Sequence, residues 1–555
     1  MFAQRLRVLL KMSLLMGIGM GLAACGPVTS QVAPAASEVV ETTAATTPEP
    51  APEAEQVFVV GANSDTGPLN PHDYRSDFIP LDMVYEPLVR FAADGTIQPW
   101  LAEDWEVSDD GLIWTFHLRQ DVTFHDGTPF NAQAVKWNME RWLGAEMHGW
   151  FRPTQIIEAV ETPDEYTVVL RMREFYYPLL YDLSLIRPVR FLSPSSVDAE
   201  GNFVSPVGTG PWRVEEYVSD QSTTFVRNED YWGTVPMLER VIFSCIPDAE
   251  TRVAALLTGE VHLIGGDYIG PISLESIPVL QRNPDVQLLT AQGSATNLLQ
   301  MNYDRPPLDD IRVRQALNHA IDRQLISDEF YDGLAAPAQG LFPPNIPYVT
   351  YPHPDYYTYD LEQARALLTS AGWVPGADGI LQRDGQPLRL RMLVESGGYA
   401  DHFPNAPAVA EVLQAQLREI GVDVEIAMVD TGGFSSAIRA DDYDLATNAS
   451  YGAPYDPVSL LTAVFRSKPL VTDTSGLFFA SPELDQMIDE VVTIQDATER
   501  QAMYDRIWSY LDENAAVVPI VYTSRIYALS SSVHGFRLAG TEYEIDINGV
   551  MISPQ

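Results

Sequence analysis

Apolar and polar positions alternate with period two through Ile113-Trp114-Thr115-Phe116-His117-Leu118-Arg119, which predicts a strand with one buried face. Val57-Phe58-Val59-Val60-Gly61 predicts another strand, and Val422, Val424, Ile426 and Met428 alternate in the same way. Other stretches carry helical spacing. Asn131 reads as the cap of a helix with Val135, Met139 and Trp142 on one side. Val313, Ala316, Leu317, Ala320 and Ile321 form one stripe behind Asp309 and Asp310, where the helix dipole favours acids. Asp360 caps a helix with Leu361, Ala364, Leu367, Leu368 and Ala371 inward, closed by Gly372. Asp384-Gly385 reads as a tight turn before Leu388, Leu390, Met392 and Val394. Val409, Val412, Leu413, Leu417 and Ile420 predict a helix ended by Gly421, and Ser481-Pro482 starts one with Leu484, Met487, Ile488 and Val491 inward. Helices alternating with strands predict an α/β fold, and 555 residues suffice for two or three structural units.

The first residues break this pattern. Arg5, Arg7 and Lys11 precede the apolar run Met12 to Met20, which is too short to span a membrane and fits a secretory signal. The run ends in Leu22-Ala23-Ala24-Cys25-Gly26, which resembles the bacterial lipobox, so residues 1–24 are expected to be a lipoprotein signal peptide and Cys25 the lipidated residue. Pro27 to Gln56 is rich in Pro, Ala, Thr, Ser and Glu, so residues 25–56 predict a disordered tether. These features predict an extracytoplasmic body anchored to the cell membrane by a lipid. With Cys25 lipidated, Cys245 has no internal partner, and the fold must rest on its core. The formal charge of -42 makes nucleic acid and anionic membranes poor partners. Such acidity suits an exported protein or a salty habitat.

One stretch sets charge among apolar residues: Leu185-Ile186-Arg187-Pro188-Val189-Arg190-Phe191, after Tyr176-Tyr177-Pro178-Leu179-Leu180. A guanidinium is rarely buried without a partner. One of these arginines therefore needs an anion, either from the protein, with Asp182 nearby in sequence, or from a ligand. Catalytic signatures are missing. There is no Gly-x4-Gly-Lys loop, no His-Glu-x-x-His, no Cys-x-x-Cys and no Gly-x-Ser-x-Gly elbow. The nine histidines are scattered. Nothing in the residues calls for an enzyme or a resident cofactor.

Several motifs in one order carry a family likeness. Leu101-Ala102-Glu103-Asp104-Trp105, Trp114-Thr115-Phe116-His117-Leu118-Arg119, Val122-Thr123-Phe124-His125-Asp126-Gly127 and Pro129-Phe130-Asn131-Ala132 are followed by Gly208-Thr209-Gly210-Pro211-Trp212 and Arg227-Asn228-Glu229-Asp230-Tyr231-Trp232-Gly233. Leu256-Leu257-Thr258-Gly259-Glu260-Val261, Pro307-Leu308-Asp309-Asp310-Ile311-Arg312-Val313-Arg314-Gln315-Ala316-Leu317 and Ala320-Ile321-Asp322 continue the series. Over roughly residues 57 to 555 the chain resembles the peptide and nickel class (family 5) of solute-binding proteins of ABC importers. The resemblance implies a two-lobed periplasmic-binding-protein-like α/β fold of the large class II type. Lobe I would comprise residues 57–297, with an extra subdomain at about 88–203, and a return at 523–555. Lobe II would comprise residues 298–522. The crossings are expected at Thr296 to Tyr303 and Val518 to Tyr527.

Tyr176-Tyr177-Pro178, Arg187-Pro188, Arg190-Phe191, Arg227-Asn228-Glu229 and Gly452-Ala453-Pro454-Tyr455-Asp456-Pro457 look like the nickel-binding branch. That branch takes its metal as a complex with a small organic chelator. The resemblance implies that Arg187 pairs with a chelator carboxylate and that Trp150 lies against the ligand, with Tyr74 and Tyr455 at aromatic positions of the pocket. Tyr451 stands where the branch commonly has Trp. The loop histidine used there as a metal ligand is missing from Phe465-Arg466-Ser467-Lys468-Pro469-Leu470-Val471-Thr472, and no Met matches around Phe78-Ile79. An upstream arginine of the branch falls on Met147, beside His148. Arg466 or Lys468 is then the candidate for a second carboxylate, and His148 for a metal ligand. The implied partners are an importer permease and ATPase, with the protein a monomer. The alternatives are a di- or oligopeptide-binding protein, which would hold the ligand's amine with an Asp such as Asp456, and a ligand-sensing receptor of the same fold.

Overall fold

Among the described residues of the computed structural model, ten strands form the central sheet, and two of them are long enough to belong to both of its halves. The order is Asp423–Val429, Arg389–Glu395, Leu445–Ala449, Val286–Met301, Val517–Ser530, Leu263–Gly265, Val57–Ala62, Arg240–Cys245, Ser222–Arg227 and Trp212–Val218. The structure describes residues 56–351, 356–396, 403, 405–469 and 476–553. The expected signal peptide, Cys25 and all but the last residue of the expected tether lie outside them. Residues 54–555 make one compact unit. Among the described residues no helix is long and apolar enough to cross a membrane.

Local signals set the elements. The Asn131 side chain accepts from the Ala134 N–H at 3.0 Å, Asp360 from Gln363 at 2.9 Å and Ser481 from Leu484 at 3.1 Å, each filling a donor left open at a helix start. At one end of the sheet the helices Ile311–Ala320 and Ala406–Glu419 bury Val313, Leu317, Leu413 and Leu417 against Leu390, Met392 and Met301. At the other end Phe58, Val60, Phe225, Val241 and Phe243 share a core with Tyr85 and Trp212. A separate four-stranded antiparallel sheet, ordered Ala102–Val107, Ile113–Leu118, Thr167–Met172, Ile157–Asp164, carries the helix Ala132–Trp142. Its core holds Trp114, Phe116, Val135, Met139, Trp142 and Leu170.

Val286–Met301 and Val517–Ser530 pair antiparallel along nearly their whole length. The first also pairs with Leu445–Ala449 through residues 297–301, and the second with Leu263–Gly265 through residues 527–529. Between them the register breaks: Gln292 faces Ser524 and Thr296 faces Tyr522. Three residues of one strand thus oppose one of the other, a bulge that bends the pair.

Candidate ligand-binding site

The segment from Leu183 to Leu192 stitches two cores together. Leu183, Leu185, Val189 and Phe191 bury into the core of the four-stranded sheet, while Ile186 and Leu192 join the core of Phe58 and Tyr85. Its two arginines part company. Arg190 is 0 % exposed; it bonds to Asp82 Oδ1 at 2.8 Å and to the Ser184 and Leu185 carbonyls at 3.1 and 3.0 Å, with Glu544 at 3.6 Å. Asp182, the partner offered by sequence proximity, pairs with neither arginine. Its Oδ2 accepts from the Tyr176 hydroxyl at 2.9 Å, and burial pushes its carboxyl up to about 8, so it is neutral at pH 7.

Arg187 is half-buried and makes no ion pair among the described residues. Its Cζ lies 3.8 Å from the Phe78 ring centroid and 5.1 Å from that of Tyr74. Nη1 donates to the Ser76 carbonyl at 3.1 Å, and the buried Nε has no hydrogen-bond partner. An arginine stacked in this way keeps the edge of its planar fork available to an oxyanion. The loop that carries Tyr74 and Ser76 is held by Leu69 N–H to Ser76 Oγ at 2.8 Å and by Asp77 N–H to the Thr66 carbonyl at 3.1 Å. Gly67 sits in it at φ +74°, with a Cβ there coming within 2.1 Å of the Arg75 carbonyl, so only glycine fits.

Aromatic side chains surround Arg187. The Tyr74 hydroxyl is hydrogen-bonded to His148 Nδ1 at 2.7 Å and accepts from Trp150 Nε1. Phe78 lies 4.7 Å from Tyr543 and 5.1 Å from Tyr268, and these two tyrosines are 4.7 Å apart. Tyr455 stands 6.3 Å from Tyr543 and 5.4 Å from Tyr451. Burial pushes the hydroxyls of Tyr455 and Tyr543 upward, and the Arg187 charge opposes this at both. The structure therefore gathers Arg187, Tyr74, Trp150, Tyr455, Tyr451 and His148 into one region. Phe78, Tyr268 and Tyr543 belong to it as well. Sequence reasoning passed over the last two, which have no periodic setting; the Gly265-Gly266 and Glu542-Glu544 neighbourhoods were the available signals.

Two other expectations fare differently. Arg466 is not brought to this cluster: its Nε and Nη2 fork onto Asp489 at 2.9 and 3.0 Å, and Nη1 bonds to the Lys468 carbonyl. The fork that a second carboxylate would need is already filled. His148 is 1 % exposed, and burial pulls its imidazole down to about 4, so it is neutral. Neutrality suits a ligand, but among the described residues no group of three or more His, Cys, Asp or Glu could hold a metal ion. Asp456 is 1 % exposed. Its Oδ1 accepts from the Tyr177 and Tyr504 hydroxyls at 2.6 and 2.8 Å and caps the helix Pro457–Val464 through Val458 N–H at 3.0 Å.

Comparison with known proteins gives a consistent picture. Residues 96–470 match the family described as "Bacterial extracellular solute-binding proteins, family 5 Middle". The chain is 34% identical over 467 residues to the nickel-binding periplasmic protein of Escherichia coli, covering 83% of this chain and 88% of that one. It superposes on NikA from Brucella suis in complex with Fe(III)-EDTA with a TM-score of 0.82 at 34% identity, covering 90% of this chain and 100% of the other. An ABC transporter substrate-binding protein from Sinorhizobium meliloti gives 0.76 at 35% identity, with the same coverage.

Proposed function

The chain belongs to the bacterial extracellular solute-binding proteins of family 5, and we propose that it captures a nickel or similar transition-metal chelate for an ABC importer. The family consists of binding proteins rather than enzymes, and the fold is the mixed α/β periplasmic-binding-protein fold. We read residues 57–297 and 523–555 as one lobe, carrying the 88–203 subdomain, and residues 298–522 as the other, with Cys25 lipidated and the importer permease and ATPase as partners. The ligand sits between the lobes, where Arg187 bonds the chelator's carboxylate and Trp150, Tyr74, Tyr455 and Tyr451 supply flat contacts.

One observation carries this reading: Arg187 presents a stacked, half-buried guanidinium that no carboxylate of the described residues neutralises. A ligand oxyanion completes it by charge-assisted bonds. The chelator supplies the metal's ligands, which fits a pocket built of aromatic rings and one neutral histidine. Two relatives at 34% identity carry names that point the same way, one to nickel and one to iron wrapped in a polycarboxylate. The peptide alternative has less support, because Asp456 is 1 % exposed, with Oδ1 taken by two tyrosines and a helix N-terminus and only a buried Oδ2 left for an amine.

Thermal shifts of the full chain with nickel alone, nickel plus histidine, nickel plus opine-type carboxylate chelators and a dipeptide pool test the proposal. A ligand at 100 times its dissociation constant adds about 2.7 kcal/mol of stability. The expected response is to nickel with a carboxylate chelator. Stabilisation by peptides without metal overturns the reading.

A further inference from the structure

The bulge in the long strand pair is tied down by a buried carboxylate that comes from elsewhere in the chain. Glu542, 6 % exposed, accepts from Ser294 twice: Oε1 from its N–H and Oε2 from its Oγ–H, both at 2.6 Å. Ser294 is the middle residue of the three that face Thr523. Its Oγ then accepts from the Ala453 N–H at 2.8 Å. Next to it Thr296 N–H donates to Ser450 Oγ and Ser450 N–H to the Thr296 carbonyl, each at 2.9 Å. The loop bearing Tyr451 and Tyr455 is therefore zipped onto the bulge. A Cβ at residue 452 would come within 2.4 Å of Ser294 Oγ, so Gly452 permits the close approach. Beside Glu542 in sequence, Tyr543 packs against Phe78, Tyr268 and Tyr455.

Burying a carboxylate against neutral donors is costly, so this arrangement invites a role beyond cohesion. We propose that Glu542 is the positioning residue of the hinge, fixing the bulge of the crossover strand to the aromatic wall around Arg187 so that occupancy of the cleft sets the angle between the lobes. This rests on the two-lobe reading above. The bulge is where the strand pair passes from one half of the sheet to the other, and its carboxylate reaches both the strand and, through Ser294, the loop of Tyr451 and Tyr455. A hinge of a few residues can convert contact at a site into rigid-body closure. Held by Glu542, the bulge has one geometry; released, it has several, and the population ready for ligand falls in proportion.

The test is a spin-label distance measurement on the ligand-free full chain. Labels go on cysteines introduced by Ala254→Cys and Ala415→Cys, at exposed positions of the helices Ala249–Leu257 and Ala406–Glu419, with Cys25→Ser and Cys245→Ser. Glu542→Gln replaces one carboxylate oxygen with an amide N–H, so the Ser294 N–H and Oγ–H no longer both have an acceptor, and Ser294→Ala removes the relay. Each is expected to broaden the distance distribution roughly twofold with the fold intact, as a loosened hinge does, and the double variant to broaden it no further. A distribution as narrow as wild type in Ser294→Ala, or in a folded Glu542→Gln, overturns the proposal, as does additive broadening. If Glu542→Gln does not fold, Ser294→Ala decides alone. Because the measurement needs no ligand, its failure is distinct from a failure of the wild-type protein to respond to metal chelates.

Discussion

Asp182 should set a pH dependence of stability that a single substitution removes. It ends the short helix Leu179–Asp182, is 4 % exposed and accepts one hydrogen bond, from Tyr176. Burial pushes its carboxyl from 3.8 up to about 8; the Tyr176 hydroxyl opposes the shift, and the Asp456 charge adds to it. The unfolded chain releases this proton near pH 4, whereas the folded chain keeps it until about pH 8. Between those values the folded state binds more protons, so stability falls as pH rises. The slope is at most about 1.4 kcal/mol per pH unit, and over about four units the loss is on the order of 5 kcal/mol. Asp182→Asn keeps an acceptor for Tyr176 and cannot ionise. It should match wild type at pH of about 4 and gain stability over it progressively to pH of about 8, then level off. Urea unfolding followed by tryptophan fluorescence at each pH reads the difference. Parallel stability curves for the two proteins across this range refute the reasoning. Asp456→Asn, by removing the neighbouring charge, should narrow the window from its upper end.

Arg190→Met strands Asp82 and Glu544 in the core with only Arg90 beside them; the expected cost is about 3–5 kcal/mol in urea unfolding. Glu86 accepts from Trp100 and Tyr231 at Oε1 and from Thr209 and Trp232 at Oε2. Glu86→Gln turns an amide N–H toward one indole whichever way it is set, and should lower stability by about 2–4 kcal/mol. Arg466→Ala breaks the Asp489 pair and the bond to the Lys468 carbonyl, neither of which belongs to the cluster around Arg187, so thermal shifts with carboxylate chelators should match wild type, with stability changed by at most about 1 kcal/mol.

What the sequence made legible was local. Asn131, Asp360 and Ser481 announced helix starts because a cap and its donor are three residues apart. The run around Arg187 stood out because charge among apolar residues is visible without a fold. Its environment was not visible, since Phe78, Tyr268 and Tyr543 come from distant parts of the chain. Asp182 misled for the same reason: nearness in sequence put it forward, while desolvation leaves it neutral. The strand Val286–Met301 escaped notice in its first half because its burial is irregular there, exposed and half-buried residues giving way to a buried run only near Gly293. Arg466 looked available because nothing in its loop reveals Asp489 on a helix that follows.

The central claim is that Arg187 recognises a chelator's carboxylate. Isothermal titration calorimetry of the full chain and of Arg187→Gln with nickel bound by an opine-type carboxylate chelator tests it most directly. Charge-assisted bonds are worth about 1.5–3 kcal/mol, so the variant should bind roughly 10- to 100-fold more weakly. Equal affinity in the two proteins would contradict the account.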